Sequence, residues 1–375
     1  LGYEDREPDS NELVAMEHEL RDAMESGAFG MSSGLVYPPG CYAKTDELIT
    51  LCKIVREYNG IYATHMRDEG DNLEAALGET INISKESGVK SQVSHIKTWG
   101  EKNWWKIDKI ESLIEDARAK GIKITCDRYP YTAAATDLDI ILPDWVYEGG
   151  NTEEKKRLGD PLCRERIIKE MEQEGLSQEF WGTIMISSVF NKEKRGYEGK
   201  TVDQLSKMLK TPPLEFVLDL LYEEDCKVSV IFFNMSEENL ARILKWDSVM
   251  VGSDSSLRSL KGVLNYGKPH PRGYGTFSRV IRKYVNETSV LSIEEAIYKM
   301  TGFPAQTLGL KERGILKEGH FADITIFDQE TIAEQATFTD PHNYSTGIKT
   351  VLVNGKLTIN NGKHGGATNG AILRK

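Results

Sequence analysis

The 375-residue sequence lacks the features that mark membrane proteins, nucleic-acid-binding proteins and disulfide-rich secreted proteins. It contains no run of about 18 uncharged apolar residues, the length that a membrane span requires. Its 47 Lys and Arg residues are outnumbered by 58 Asp and Glu residues, and the net charge of −11 argues against binding to nucleic acid or to an anionic membrane. The five cysteines are scattered and odd in number, which predicts a reducing, cytoplasmic location rather than a disulfide framework.

The composition is that of a globular protein with a substantial core. Hydrophobic residues make up 39% of the chain and charged residues 28%, which are ordinary proportions for a soluble fold. The length permits one large domain together with a smaller one.

Short β-branched runs alternate with amphipathic helical runs over the first third of the chain. Residues 61–65 and 90–95 are typical of buried strands, and apolar residues recur at helical spacing through 107–117. Strands separated by single helices pair in parallel with right-handed crossovers. The pattern therefore predicts an α/β fold in which residues 1–131 form β/α barrel units.

The alternation breaks after residue 131. Residues 132–225 carry charge runs and an extra strand-like segment at 183–186, which we interpret as an insertion, or lid, between barrel units. Alternation resumes at 227–233, so residues 226–310 are predicted to contain the last barrel units. Short strands and glycine turns follow, which indicate a small β-domain over 311–375.

Three predicted strand ends carry residues that bind metals. His65 and His95 each end a strand-like run, and Asp254 closely follows another. Working groups of a parallel barrel lie at the carboxyl ends of its strands, and two imidazoles with a carboxylate suit a Zn²⁺ ion that keeps a position for water. Asp254 would then act as the general base and acid. Taken singly, each histidine is more often a packing or hydrogen-bonding residue, and Gly-Ser-Asp is ordinary turn chemistry.

Four further residues are candidates for binding a substrate. Lys97 would point to the same face as His95 and offer a cation, and Arg272 follows Asp254 in the chain. Tyr37 and Tyr129 lie in predicted loops at strand ends and can donate hydrogen bonds. The alternatives are a solvated charge for Lys97 and Arg272 and loop packing for the tyrosines.

These residues lie in segments that resemble the N-acyl-D-amino-acid deacylases, or D-aminoacylases, of the amidohydrolase superfamily. The matching segments follow the family's order and are 30–40 (GMSSGLVYPPG), 62–69 (YATHMRDE), 93–97 (VSHIK), 127–133 (DRYPYTA), 252–254 (GSD), 270–277 (HPRGYGTF) and 314–324 (GILKEGHFADI). Together they extend over nearly the whole chain, so the resemblance is specific.

The resemblance implies a metal-dependent hydrolase with a (β/α)₈, or TIM, barrel, an inserted small domain over the pocket and a β-sandwich. It implies zinc-dependent hydrolysis of an N-acyl-D-amino acid to a carboxylate and a free D-amino acid. By position in the motifs, His65 and His95 would hold zinc and Asp254 would be the catalytic acid and base. Tyr37, Lys97 and Tyr129 would contact the substrate.

The sequence departs from the family at its metal ligands. The family has a His-x-His pair on its first barrel strand and a metal-bridging cysteine shortly afterwards, and this chain contains no His-x-His. Cys41 is an unlikely substitute because it lies in the Tyr-Pro-Pro loop. We therefore expect three barrel units to precede Leu1, so that this chain would be a C-terminal portion. Its N-terminal portion would be a partner as a separate chain, or would be cleaved off or absent, and the zinc count, one or two ions, stays open.

Two other functions compete with deacylation of linear amides. A cyclic-amide hydrolase related to hydantoinase or dihydroorotase would use the same metal chemistry. A non-catalytic remnant would bind an acyl-amino acid or a partner subunit without turnover. The Tyr-Pro-Pro loop and the Ala-Thr-His-Met-Arg run favour the deacylase over the cyclic-amide hydrolase, and the retention of all the candidate site residues argues against a remnant.

Overall fold

The computed structural model describes residues 1–173 and 175–375. Within these residues twelve strands form three separate sheets. The strands are β1 (Gly30–Gly34), β2 (Ile61–His65), β3 (Lys90–Val93), β4 (Ile124–Arg128), β5 (Ala133–Asp137), β6 (Ile184–Ser188), β7 (Ser229–Phe233), β8 (Val249–Val251), β9 (Ile324–Phe327), β10 (Ile348–Val353), β11 (Lys356–Asn360) and β12 (Lys363–His364).

Thirteen α-helices lie in the same described ranges. They are α1 (Ser10–Glu25), α2 (Thr45–Glu57), α3 (Leu73–Ser87), α4 (Ile107–Ala119), α5 (Asn151–Gly159), α6 (Pro161–Gln173), α7 (Gln178–Gly182), α8 (Val202–Leu209), α9 (Pro213–Glu223), α10 (Glu237–Lys245), α11 (Arg272–Arg279), α12 (Ile293–Met300) and α13 (Gly302–Leu308). A π-helical turn, Val280–Glu287, continues α11. None of the described helices is long and apolar enough to cross a bilayer.

The largest sheet has five parallel strands in the order β1-β2-β3-β4-β8. Helices α2, α3 and α4 connect its first four strands, and buried apolar side chains such as Leu77, Val93 and Ile110 fill the layer between sheet and helices. Helix α3 ends at Ser87, because the next residue, Gly88, adopts a φ of 71°, which residues with a Cβ rarely adopt. The predicted α/β alternation is confirmed here.

Closure of the eight-stranded barrel that the resemblance implies is not seen in this sheet. Its order runs from β1 to β8 without pairing of those two strands, so among the described residues the sheet is open. Closure needs enough strands to turn the sheet back on itself, and five parallel strands leave two edges.

The inserted region has its own antiparallel sheet in the order β5-β7-β6. The sequence predicts residues 227–233 as a returning barrel strand, but β7 instead pairs between the two strands of the insertion. Val230 and Phe232 of β7 pack with Ile184 and the helices of this region. A buried apolar run specifies a strand without specifying its neighbours, which explains why the sequence pattern misplaced it.

The C-terminal region contains one four-stranded antiparallel sheet, β12-β11-β10-β9. The short strands expected over 311–375 are present as β9, β10, β11 and β12. Within the described chain this region is a single sheet, and the β-sandwich that the resemblance implies stays a prediction.

Candidate active site

The carboxyl ends of β2 and β3 bring two histidines together. His65 is the last residue of β2, and His95 follows β3 by two positions. The centroids of their imidazole rings lie 4.5 Å apart. The predicted convergence of the two rings follows from the parallel pairing of adjacent strands, which places both carboxyl ends at one edge.

Glu69 completes a group of three possible metal ligands. One nitrogen of each ring and a Glu69 carboxylate oxygen all lie within 4.8 Å of one another. Glu69 Oε1 is 3.0 Å from His95 Nδ1, and Oε2 is 3.7 Å from His65 Nε2. Glu69 is not among the metal ligands that the sequence predicts, although its position four residues after His65 was the available signal.

Lys97 is buried beside this group rather than solvated. Its Nζ lies 2.7 Å from His95 Nδ1 and donates a hydrogen bond to Glu69 Oε1, and the side chain is 3% exposed. Burial alone would raise the pKa of Glu69, but Lys97, His65 and His95 together hold it well below its usual range. The carboxylate is therefore ionised at the centre of the cluster.

The electrostatics of His65 favour metal binding. Burial is the largest effect on its ring and lowers its pKa to about 4 against the weaker attraction of Glu69. The ring is therefore neutral near pH 7 and has a lone pair available for an ion.

Asp127 of β4 fixes the backbone that carries His95. Its Oδ1 accepts a hydrogen bond of 2.9 Å from the His95 backbone N–H, and its Oδ2 accepts one of 2.8 Å from Gln92 Nε2. His95 has a φ of 39°, in the left-handed region that residues with side chains seldom occupy. Such strain persists only where surrounding contacts hold it, and it concentrates at functional sites.

Asp254 lies outside the three-ligand group and is paired with Arg272. The distance from Asp254 Oδ2 to Arg272 Nη1 is 2.8 Å, and Asp254 also has a positive φ, of 48°. Arg272 is buried, so the alternative of a solvated charge is wrong for this residue. The assignment of Asp254 as a metal ligand and as the acid and base stays a prediction.

The two candidate tyrosines have different neighbours. The guanidinium groups of Arg128 and Arg272 lie 4.2 and 4.6 Å from the centroid of the Tyr129 ring. Tyr37 packs edge-on to His65 with centroids 5.1 Å apart. Burial raises the pKa of Tyr37 to about 12, so its hydroxyl stays protonated and can donate a hydrogen bond.

Cys41 and His270 both lie outside the group of possible metal ligands. Cys41 is not in the group formed by His65, Glu69 and His95, which is the one such group among the described residues. His270, which the sequence analysis noted only within a motif, accepts a hydrogen bond of 3.0 Å from the Arg272 backbone N–H through Nδ1. Its other ring nitrogen lies 2.9 Å from the Ala133 carbonyl oxygen, so His270 joins the Arg272 segment to the inserted sheet.

Comparisons with known proteins agree with this architecture. A family model described as "Amidohydrolase family" matches residues 247–359. A D-aminoacylase from Alcaligenes xylosoxydans xylosoxydans is 34% identical over 344 residues, which are 92% of this chain and 61% of that protein. A crystal structure of D-aminoacylase matches with a TM-score of 0.80 and 31% identity over 99% of this chain and 68% of that one.

A second solved structure carries a bound metal. It is the N-acyl-D-glutamate deacylase of Bordetella bronchiseptica complexed with zinc and a phosphonate inhibitor, with a TM-score of 0.77 and 30% identity over 94% of this chain and 64% of that one. This chain spans about three fifths of the length of its curated relatives. The alignments take in 92% of the chain and do not by themselves support the expected absence of barrel strands or the expected N-terminal partner, which stay predictions.

Proposed function

The chain belongs to the D-aminoacylase family of amidohydrolases, and we propose that it hydrolyses the amide bond of N-acyl-D-amino acids with the help of zinc. The observation that carries the proposal is the group formed by His65, Glu69 and His95 at the carboxyl ends of a parallel sheet. The relatives named above are deacylases of D-amino acids, and one was solved with zinc.

The residues of the group fit a zinc ion. Imidazole nitrogen and carboxylate oxygen are both ordinary zinc ligands, and a site with three protein ligands leaves a position for water or substrate. His65, Glu69 and His95 are therefore the residues that would hold the ion. When bound, zinc lowers the pKa of water toward about 7 and polarises the acyl carbonyl.

Asp254 would transfer the proton of the reaction. Its carboxylate accepts a proton from water as the water oxygen adds to the acyl carbon. The C–N bond then breaks, and Asp254 returns the proton to the departing nitrogen. The products are a carboxylate and a D-amino acid, and Arg272 holds the Asp254 carboxylate in position.

Arg272, Tyr129, Tyr37 and Lys97 would bind the substrate. The Arg272 guanidinium lies over the Tyr129 ring and beside Asp254, and the Tyr37 ring packs against His65. Lys97 is hydrogen-bonded to Glu69, the same carboxylate that would hold zinc. An ion at Glu69 competes with Lys97, so metal binding would free the lysine for the substrate carboxylate.

The test is turnover of N-acetyl-D-norleucine by protein loaded with zinc, with zinc per chain measured by elemental analysis. We expect release of D-norleucine, no reaction of the L enantiomer, and loss of both zinc and activity after chelation. Hydrolysis of a hydantoin in preference to the linear amide would contradict the proposal and favour a cyclic-amide hydrolase. Stoichiometric binding of the acyl-amino acid without turnover would overturn it in favour of a non-catalytic protein.

A further inference from the structure

A cavity of about 710 Å³ lies next to the candidate active site and is lined mostly by residues of the inserted region. Tyr37 lines this cavity and also packs against His65, so one side chain separates the cavity from the metal-ligand group. The Tyr37 hydroxyl lies 2.9 Å from Thr136 Oγ1 of β5, and the next residue, Asp137, lines the cavity. The cavity therefore extends outward from the point where a substrate would meet Tyr37.

Of the acidic and basic side chains that line the cavity, those that are not exposed are all acidic. Glu154 of α5 is 2% exposed, and among the described residues its Oε1 has no hydrogen-bond partner, although the Cys226 thiol is hydrogen-bonded to the Glu154 side chain. Asp139, partly buried, and Asp137, exposed at the end of β5, line the same cavity. Burying a carboxyl oxygen without a partner is unfavourable, so a ligand of opposite charge would satisfy Glu154.

The other charged groups of the cavity lie toward solvent. Lys192, Arg195 and Lys227 are exposed at its rim. Glu198 also lines it, and its Oε1 accepts a hydrogen bond of 3.3 Å from the Val189 backbone N–H. The least exposed part of the cavity thus carries carboxyl groups, whereas its exposed part carries charged groups of both signs.

Aromatic side chains form much of the remaining wall, including Tyr37, Tyr147 and Tyr266. Aromatic faces together with carboxylates are the chemistry that recognises organic cations. A metal ion is the less suitable occupant, because Asp137, Asp139 and Glu154 do not form a metal-ligand group among the described residues.

We propose that this cavity receives the cationic side chain of an N-acyl-D-amino acid, so that the preferred substrates carry an ammonium or guanidinium group. The inference rests on the proposed function and names its substrate class. The acyl-amide group would lie at the strand ends, and the side chain would pass Tyr37 toward Asp139 and Glu154.

Proton release should accompany binding of such a side chain. Burial raises the pKa of Glu154 to about 8 and that of Asp139 to about 6, so Glu154 is largely protonated near pH 7 without a ligand. A cation beside these groups favours their ionised forms, and the displaced proton enters solution.

The first experiment compares kcat/KM of zinc-loaded protein for Nα-acetyl-D-lysine, N-acetyl-D-norleucine and N-acetyl-D-glutamate. Lysine and norleucine side chains share four methylene or methyl carbons and differ in the terminal ammonium group. We expect Nα-acetyl-D-lysine to be favoured at least about tenfold, a difference of about 1.4 kcal/mol. Turnover of norleucine with no preference for lysine, or a preference for glutamate, would overturn this inference and leave the proposed function standing.

Variants test whether the acids cause the preference. Glu154→Gln and Asp139→Asn keep the shape of each side chain, and Glu165→Gln, at an exposed position of α6, is the matched control. The first two should lower the lysine-to-norleucine ratio about tenfold through KM, whereas the control should leave it unchanged. An unchanged ratio in both cavity variants would contradict the inference.

Binding of the free product separates this inference from the proposed function. In calorimetry, D-lysine should bind at least about tenfold more tightly than D-norleucine, and its apparent enthalpy should vary with the ionisation enthalpy of the buffer because protons are released. This result is expected even if no N-acyl-D-amino acid is hydrolysed, an outcome that would contradict only the proposed function. Equal binding of the two amino acids would overturn the inference.

Discussion

Two buried glutamates, one at the strand ends and one in the inserted region, show how neighbours decide the state of a carboxyl group. Glu69 is surrounded by Lys97, His65 and His95, which together hold its pKa well below its usual range despite burial. Glu154 is more completely buried, at 2% exposed, and burial, to which the charge of Asp139 adds, raises its pKa to about 8. Glu69 is therefore an ionised carboxylate that already has a cationic partner in Lys97. Glu154 is largely protonated near pH 7, and in our proposal the ligand supplies the cation that ionises it.

The substitution with the largest expected change in rate tests whether the reaction takes place at the strand ends rather than in the inserted region. Asp254→Asn removes the proposed proton acceptor and should lower kcat by about 10² to 10⁴. Zinc content, measured by elemental analysis, should stay at the level of the unchanged protein, because Asp254 lies outside the three-ligand group. Loss of zinc in this variant would show instead that Asp254 is a ligand, and unchanged kcat would remove it from the mechanism.

Glu69→Gln tests the ion pair between Glu69 and Lys97 directly. In protein freed of metal, the variant leaves the buried Lys97 ammonium without its carboxylate, and breaking a buried pair costs about 3–5 kcal/mol. Urea unfolding in the presence of a chelator should show a decrease of that order in the free energy of unfolding. A change below about 1 kcal/mol, the value of an exposed pair, would mean that the Lys97–Glu69 contact contributes little to the fold.

Asp127→Ala tests whether Asp127 of β4 holds the His95 backbone, and with it the His95 ring, in position. The variant removes the acceptor of the His95 backbone N–H, so the ring loses its fixed position. Loss of such supporting contacts weakens metal affinity about 10- to 100-fold. Competition with a chromophoric chelator measures the change, and Asp116→Ala, an exposed position of α4, serves as the control. Equal zinc affinity in the two variants would contradict the supporting role.

Glu154→Gln tests the second glutamate, whose pKa is raised rather than lowered. The folded pKa of about 8 exceeds the ordinary value of 4.5, so between these pH values the folded state holds a proton that the unfolded state has lost. The unchanged protein should therefore lose stability as pH rises through this window, by at most about 1.4 kcal/mol per pH unit from this group. The variant lacks this contribution, so its stability relative to the unchanged protein should increase from pH 5 to pH 8. Parallel stability curves measured by urea unfolding would contradict the raised pKa.

Sequence periodicity predicted the elements that form by local rules. Ile61–His65 has the expected bounds because β-branched residues favour the strand, and α4, Ile107–Ala119, contains the predicted helical segment 107–117. These signals lie within one element, so they are readable without knowledge of the partners.

Pairing between distant segments escaped the sequence analysis. β7 joins the inserted sheet although its sequence suits a barrel strand equally well. At the site, the positions of His65 and His95 followed from adjacent strands. The contacts of Glu69 and Arg272 did not, because Glu69 lies in a loop and Arg272 begins α11, so neither contact lies within one periodic element.

Residue order alone predicts the α/β alternation, the two histidines at neighbouring strand ends and the resemblance to the deacylases. The packed structure is needed to place Lys97 against Glu69, Arg272 against Asp254, and Glu154 in a cavity beside Tyr37. These contacts escape the sequence because pKa and affinity depend on distances of a few ångströms between groups far apart in the chain, and those distances exist only after the sheets and helices have packed.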